Sequence, residues 1–174
     1  MTLEEFYLEL QEREGLSAQR LISPWEREDI ANITNTLRMA VETTQIKAVS
    51  IPIRQDSTNQ SVGNQVEGFV VNRLENNLHG YQILPCSGAG YPDKKLRDSI
   101  SGKTFPFELK ATSQWNPADS NRRVLTSSSR KIRSSFSEPI NHILATLLYS
   151  QRNSNYFIDT LRLDFLEPEV APFV

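Results

Sequence analysis

The spacing of the apolar residues changes at Gly80, and this change limits the chain to a few fold classes. Before Gly80, apolar residues recur every three or four positions, which is the helical period. After it, short apolar or alternating runs are separated by turn residues, which is typical of strands. Helices followed by strands in a chain of 174 residues predict one α/β or, more narrowly, α+β domain, with helices covering a central mixed sheet.

Three helices are predicted in the first half of the chain. Thr2 followed by Glu5 forms a capping box, which starts the first helix. Ser23 as N-cap before Pro24 starts the second, since proline is favoured at the first helical position. Between the second and third helices, a proline allows the apolar segment 48–53 at most an edge strand. The expected helices span residues 2–13, 23–47 and 62–78.

Five strands are predicted in the second half of the chain. Two of them flank the turn Ser101-Gly102-Lys103 and should form a hairpin. The apolar run 142–150 is compatible with a buried strand or a short helix, and we favour the strand. The expected strands span residues 81–85, 94–100, 104–112, 142–150 and 156–166.

Composition excludes several classes of protein. The single cysteine, Cys86, rules out an internal disulfide framework and is typical of a reducing cytoplasm. The chain has only two histidines, His79 and His142, so a zinc site with thiolate or histidine ligands is not expected. No apolar run approaches the ~20 residues of a membrane span, and the acidic N-terminus lacks a secretory pattern. We therefore expect a cytoplasmic protein with no membrane partner.

Two charged residues share one face of the third predicted strand. Because alternate side chains of a strand point the same way, Glu108 and Lys110 lie on one face and Leu109 on the other. If the hairpin turns at its Ser-Gly pair, Asp93 lies opposite about residue 110. Asp93 would then lie close to both Glu108 and Lys110.

Such a group of side chains suits a divalent metal ion. Two converging carboxylates repel each other unless a cation lies between them, and Mg²⁺ prefers oxygen ligands. The candidate ligands are Asp93, Glu108 and the carbonyl group of Leu109. Lys110 would orient or deprotonate a water, or stabilise charge in the transition state. Phosphodiester hydrolysis needs these elements, whereas the alternative is a surface Glu-x-Lys pair beside a turn aspartate.

An acidic residue also lies inside the apolar stripe of the third predicted helix. At 100° per residue, Glu67 falls within the arc formed by Val62, Val66 and Val70 rather than opposite it. It could therefore point inward. The alternative is a glutamate at the edge of the stripe whose carboxylate reaches solvent.

The runs Tyr91-Pro92-Asp93 and Phe107-Glu108-Leu109-Lys110, with the hairpin between them, resemble the PD-(D/E)xK nuclease superfamily of type II restriction endonucleases. With Ala111-Thr112-Ser113 after the lysine, the pattern is most similar to the EcoRV-type branch. The resemblance covers roughly residues 62–150. Asp98 remains an alternative first acid, because some members of the superfamily use its spacing from the Glu of the second run.

A chain of 174 residues fits one domain, so with this resemblance we expect a single nuclease domain over residues 1–174. We expect it to consist of an N-terminal helical part at 1–60 and a restriction-endonuclease-like catalytic core at 62–166. In this superfamily a helix before the strands often carries a Glu near the metals, and Glu67 matches that position. The implied catalytic residues are Asp93, Glu108, Lys110 and Glu67, and the implied cofactor is Mg²⁺.

A basic run after the third predicted strand is the candidate DNA-binding segment. Arg and Lys neutralise phosphates, while Ser hydroxyl groups donate to phosphate oxygens or contact base edges. The resemblance implies that this segment enters or flanks the DNA groove. The alternative is a solvated loop and helix with ordinary charges. The candidate residues are Arg122, Arg123, Ser127, Ser128, Ser129, Arg130, Lys131 and Arg133.

The expected function is therefore that of a Mg²⁺-dependent, site-specific type II restriction endonuclease that cuts double-stranded DNA. Since such sites are usually palindromic, we expect a homodimer. Two alternatives remain open: a repair or junction-resolving nuclease of the same fold, and a catalytically inactive nucleic-acid-binding domain. A Ser or Cys hydrolase is not expected, because Cys86 has no obvious His partner and the chain lacks a G-x-S-x-G motif.

Overall fold

The computed structural model describes residues 22–54, 57–86, 92–113 and 138–167. The helix expected at 2–13 and the basic run at 122–133 lie outside these ranges. Within them, the chain forms two α-helices and five strands. In chain order these are α1 (Arg27–Thr44), α2 (Asn59–Glu75), β1 (Tyr81–Pro85), β2 (Lys94–Asp98), β3 (Thr104–Thr112), β4 (Ile143–Arg152) and β5 (Asn155–Phe165).

The five strands form one mixed sheet in the order β1-β2-β3-β4-β5. Neighbouring strands are antiparallel except β3 and β4, which are parallel. Each strand coincides with a predicted one to within about two residues at either end. The expected α+β class, with a central mixed sheet and helices packed against it, is confirmed.

One face of the sheet forms the hydrophobic core with the helices. On β3 this face carries Phe105, Phe107 and Leu109, and all three side chains are buried. Helix α2 contributes a buried stripe to the same core, and each buried apolar side chain adds roughly 1.5–3 kcal/mol of stability. The stripe consists of Val62, Val66, Val70, Val71 and Leu74.

Helix α1 begins at Arg27, so the prediction that Ser23 caps it is wrong. The backbone N–H of Ser23 instead donates to the carbonyl group of Ile140 at 2.7 Å. Trp25, two residues later, stacks on Phe105 with ring centroids 5.3 Å apart. These long-range contacts hold the segment before the helix in place, and they outweigh the local Ser-Pro start signal.

The other limits of the helical region also differ from the prediction. Helix α1 ends at Thr44, because Gln45 adopts a left-handed conformation with φ of 48°, and a short 3-10 turn follows at Ile46–Ala48. Helix α2 begins before Val62, since the side chain of Thr58 accepts a hydrogen bond from Ser61 N. Segment 48–53 forms no strand. It makes one isolated bridge, from Ile51 to Tyr156.

No α-helix within the described ranges is long and apolar enough to cross a membrane.

Candidate active site

The pairing of β2 with β3 brings Asp93 beside Glu108. Lys94 pairs with Phe107, so the position before Lys94 lies next to Glu108 rather than opposite residue 110, a register two residues from the expected one. The backbone N–H of Asp93 donates to Glu108 Oε2 at 3.1 Å. The hairpin register therefore places the two acids together, with one carboxylate held by the backbone of the other residue.

Lys110 lies between the two carboxylates. Its Nζ is 2.9 Å from Glu108 Oε1 and 3.3 Å from Asp93 Oδ2. The side chain of Glu108 is only 7% exposed, that of Lys110 is 25% exposed and that of Asp93 is 42% exposed. The three residues therefore form a small polar site that is buried at Glu108 and opens to solvent at Asp93. Leu109 lies on the opposite face, where its side chain is buried in the core.

Helix α2 supplies the fourth charged group. Glu67 Oε1 accepts a hydrogen bond from Ala111 N at 3.0 Å, so this carboxylate points toward β3. Ladder pairing between β2 and β3 ends at Phe107, which leaves the next residues of β3 accessible to a side chain from the helix. The orientation agrees with the inward position expected for Glu67 and not with the solvent-facing alternative.

Burial governs the protonation of the two glutamates. It raises the pKa of Glu67 to about 7, and the nearby charges of Asp93 and Glu108 add to this, while Lys110 opposes it. Burial also raises the pKa of Glu108, although the hydrogen bond from Lys110 acts in the opposite direction. Burial is the largest single influence on Lys110 and disfavours its ammonium form, but the hydrogen bond to Glu108 and the charges of the nearby carboxylates together exceed it, so the pKa of Lys110 is raised.

The charges of the site suit a hard cation. Three carboxylates and one ammonium group leave a charge of −2 when all are ionised, and burial raises the pKa values of two of the carboxyl groups, Glu67 and Glu108. Among the described residues, no cluster of His, Cys, Asp or Glu side chains has a ready metal-binding arrangement. The Lys110 ammonium lies between the Asp93 and Glu108 carboxylates, so it would have to move if a metal ion were to bind both.

Asp98, the alternative first acid, lies at the other end of β2 and serves the hairpin turn. Its Oδ1 accepts hydrogen bonds from Ile100 N at 2.8 Å and Ser101 N at 3.3 Å, and its Oδ2 accepts one from Ser101 Oγ at 2.6 Å. The Ser101 hydroxyl is the main cause of the lowered pKa of Asp98. Among the described residues, Asp98 forms no hydrogen bond or ion pair with Glu108 or Lys110.

Strand β4 adds a neighbour that the sequence did not reveal. Thr146 pairs with Lys110 in the parallel ladder and is only 8% exposed, so a buried hydroxyl group lies on the strand beside the lysine. The sequence predicted a strand at 142–150, and alternation along that strand could have placed Thr146 on one of its faces. No local pattern, however, predicts that this strand lies beside β3 and pairs with it in parallel.

The chain is distantly similar to solved structures, but it matches no protein family. No family model and no curated protein matches the chain. Among solved structures, the chain is similar to "NlaIV restriction endonuclease" with a TM-score of 0.46 and 12% sequence identity. The match covers 84% of this chain and 60% of that one, so the chain spans about three-fifths of that protein's length.

Proposed function

We propose that the chain is a Mg²⁺-dependent endonuclease of the type II restriction class, which hydrolyses phosphodiester bonds in both strands of a short duplex site. The observation that carries the proposal is the convergence of Glu67, Asp93, Glu108 and Lys110 from three separate parts of the chain. Burying the carboxylates of Glu67 and Glu108 close to the charge of Asp93 costs stability, which favours a functional role for the cluster.

Each residue of the site has a distinct role in this proposal. Asp93 and Glu108, with the carbonyl group of Leu109, would hold Mg²⁺, which supplies positive charge at the phosphate and lowers the pKa of water. Lys110 orients the attacking water through its Nζ protons and stabilises negative charge that develops on the phosphate. Glu67 keeps a partly protonated carboxyl near neutral pH, and it borders the site from the helix side.

Contact with DNA and assembly complete the proposal. The run containing Arg122, Arg123, Ser127, Ser128 and Ser129, with the basic residues that follow, would hold the duplex. That run lies outside the described residues. A palindromic site is most simply bound by two copies of the chain, so we propose a homodimer with one catalytic centre in each copy.

The test is cleavage of unmethylated phage DNA with Mg²⁺ and with EDTA, beside a Lys110→Ala variant. Discrete fragments that require both Mg²⁺ and Lys110 would support a site-specific endonuclease, and their ends would give the site. A smear would favour a repair or non-specific nuclease instead. Junction-shaped substrates should be included, because a junction-resolving nuclease would leave linear duplex intact.

One observation favours a second candidate, a DNA-binding domain without catalysis. Lys110 already neutralises part of the charge of Asp93 and Glu108, as it would in a cluster whose ion pairs serve only the fold. Titration calorimetry with Mg²⁺ separates the two candidates. Heat of Mg²⁺ binding that is present in the wild type and absent in an Asp93→Asn variant supports the nuclease. No heat in the wild type, together with intact DNA in every cleavage reaction, supports the inactive domain.

A further inference from the structure

The geometry points to a second DNA contact on strand β2, formed by Lys95 and Arg97, which we name the β2 basic face. We propose that these two side chains bind phosphates of the duplex next to the one that is cut. The inference rests on the proposed nuclease function. It concerns residues that lie within the described part of the chain, unlike the basic run at 122–133.

The register of the hairpin puts the β2 basic face on the same side of the sheet as the candidate active site. Lys95 pairs with Pro106 and Arg97 pairs with Thr104, and directly paired residues project to the same face. Glu108 and Lys110 continue that face along β3, since alternate residues of a strand share a side. The two cations and the proposed catalytic groups therefore face the same substrate.

The neighbouring residues of β2 point the other way. Lys94 pairs with Phe107, and Leu96 pairs with Phe105, so both belong to the face that forms the core. Asp98 shares that core-facing side through its pairing with Tyr81. The strand therefore turns two positive charges toward the active-site face and keeps its own carboxylate away from them.

The two cations also lie in line with the site. A strand rises about 3.3 Å per residue, so the backbone at Lys95 is roughly 7 Å from that at Asp93, and Arg97 is roughly 13 Å away. Each strand of a DNA duplex presents a phosphate every 3.4 Å along the helix axis. A backbone whose scissile phosphate lies at Asp93 and Glu108 would bring neighbouring phosphates within reach of long Lys and Arg side chains.

Pairing with acids does not account for these charges. Within the described ranges, other basic residues form ion pairs, as Lys103 does with Asp29 and Arg152 with Asp159. No ion pair among the described residues involves Lys95 or Arg97. Gln82 on β1, which pairs with Arg97, adds an exposed amide on the same side. The surface therefore offers positive charge and hydrogen-bond donors together, which is what phosphate oxygens require.

Salt-dependent binding tests the inference. A fluorescent, unmethylated duplex would be titrated with the full chain in EDTA, so that no cutting occurs, over a series of salt concentrations. The variants are Lys95→Gln with Arg97→Gln, singly and together. The matched control is Lys94→Gln, which makes the same change of charge on the same strand but on the opposite face.

Each lost phosphate contact should reduce the slope of log K against log salt by about 0.9. We expect each single variant to show that reduction, the double variant to show about twice as much, and the control to keep the wild-type slope. Lys95→Arg, which retains the charge, should restore the slope. Thermal unfolding of each variant checks that the sheet is intact.

Three outcomes would overturn the inference, and they differ in what else they overturn. If the wild type cuts DNA with Mg²⁺ and the double variant keeps the wild-type salt slope, the β2 basic face does not bind DNA and the nuclease function still stands. A wild type that neither binds nor cuts any duplex would remove both. If the salt slope falls by the same amount in the double variant and in Lys94→Gln, the effect is one of net charge alone, and this result would also count against the inference.

Discussion

Two aspartates stand at opposite ends of strand β2, and their carboxylates have different surroundings. Asp98 accepts hydrogen bonds from two backbone N–H groups and one hydroxyl group, all within the hairpin turn. The carboxylate of Asp93 contacts the ammonium group of Lys110, which it shares with Glu108. The charge of Asp98 is therefore stabilised by donors of its own turn, whereas the charge of Asp93 is stabilised by a lysine on another strand.

This difference separates a carboxylate that builds the fold from one that is available for chemistry. A turn carboxylate with three donors stabilises its own loop and has little capacity left for a ligand. A half-exposed carboxylate that shares one lysine with a buried neighbour can exchange that partner for a metal ion. The contrast predicts that changes at the Asp93 end affect cleavage, whereas changes at the Asp98 end affect stability.

The largest effect is expected at Lys110. Replacement by alanine removes the group that we propose orients water and stabilises developing charge, and we expect Mg²⁺-dependent cleavage to fall by roughly 10²–10³-fold. Lys103→Ala is the matched control, because that lysine lies at the turn end and pairs with Asp29. Single-turnover cleavage of phage DNA measures both. Equal rates for Lys110→Ala and the wild type would remove the lysine from the mechanism.

The next effect compares the two aspartates directly. Asp93→Asn keeps the shape but removes a proposed metal ligand, so cleavage should fall by roughly 10²-fold or more. Asp98→Asn should leave cleavage near the wild-type rate and lower the melting temperature instead, because two backbone donors and a hydroxyl group lose a charged acceptor. The reverse pattern, with cleavage lost only in Asp98→Asn, would show that Asp98 is the first acid.

The third effect is a change of stability with pH, which the titration of Glu67 causes. In the folded state the carboxyl group of Glu67 keeps its proton up to about pH 7, whereas an unfolded glutamate loses its proton near pH 4.5. The folded state therefore binds more protons between these values, and stability should fall as pH rises from about 4.5 to 7 and then level off. The charges that act on Glu67 are those of Lys110, Asp93 and Glu108.

Glu67→Gln removes the titration but keeps an oxygen that can accept from Ala111 N. At pH 8, metal-free Glu67→Gln should be more stable than the wild type by on the order of 1–3 kcal/mol, allowing for solvent screening. At pH 4.5 the two should be equal. Urea unfolding at several pH values in EDTA measures the difference, and parallel stability curves for the two proteins would contradict the prediction.

Local patterns in the sequence were sufficient for most of this arrangement. Alternation along β3 put Glu108 and Lys110 on one face, and the helical period turned Glu67 inward. Both features depend only on residues close in the chain. They were predictable because neither a strand's two-residue period nor a helix's 3.6-residue period changes with the tertiary contacts.

Features set by distant parts of the chain were not predictable in the same way. Ser23 and Pro24 carry a valid helix start, but pairing with Ile140 overrides it. The hairpin register differed by two residues, because the exact turn geometry, and not the apolar pattern, fixes the pairing. The parallel neighbour Thr146 depends on the order of strands in the sheet, to which the sequence of either strand gives no guide.

The smallest expected effect lies at the turn end of β2. Ser101→Ala removes the hydroxyl group that donates to Asp98 Oδ2 and is the main cause of the lowered pKa of Asp98. Because the site is exposed, the free energy of unfolding should fall by only about 0.5 kcal/mol. The pKa of Asp98 should rise toward its usual value, which NMR titration would detect.

Ser99→Ala is the matched control for this last prediction, since that serine lies in the same turn and only its backbone N–H, which donates to Gly80 O, makes a described hydrogen bond. We expect the control to leave the pKa of Asp98 unchanged, and both variants to cut DNA at the wild-type rate. A lowered folded-state pKa stabilises the protein above the unfolded value and loses that stabilisation as pH falls. The Ser101 variant should therefore lose less stability than the wild type as pH falls through and below 3.8, the ordinary pKa of an aspartate. If Ser101→Ala instead slowed cleavage, the turn would be coupled to the catalytic site, and the two ends of β2 would not be independent.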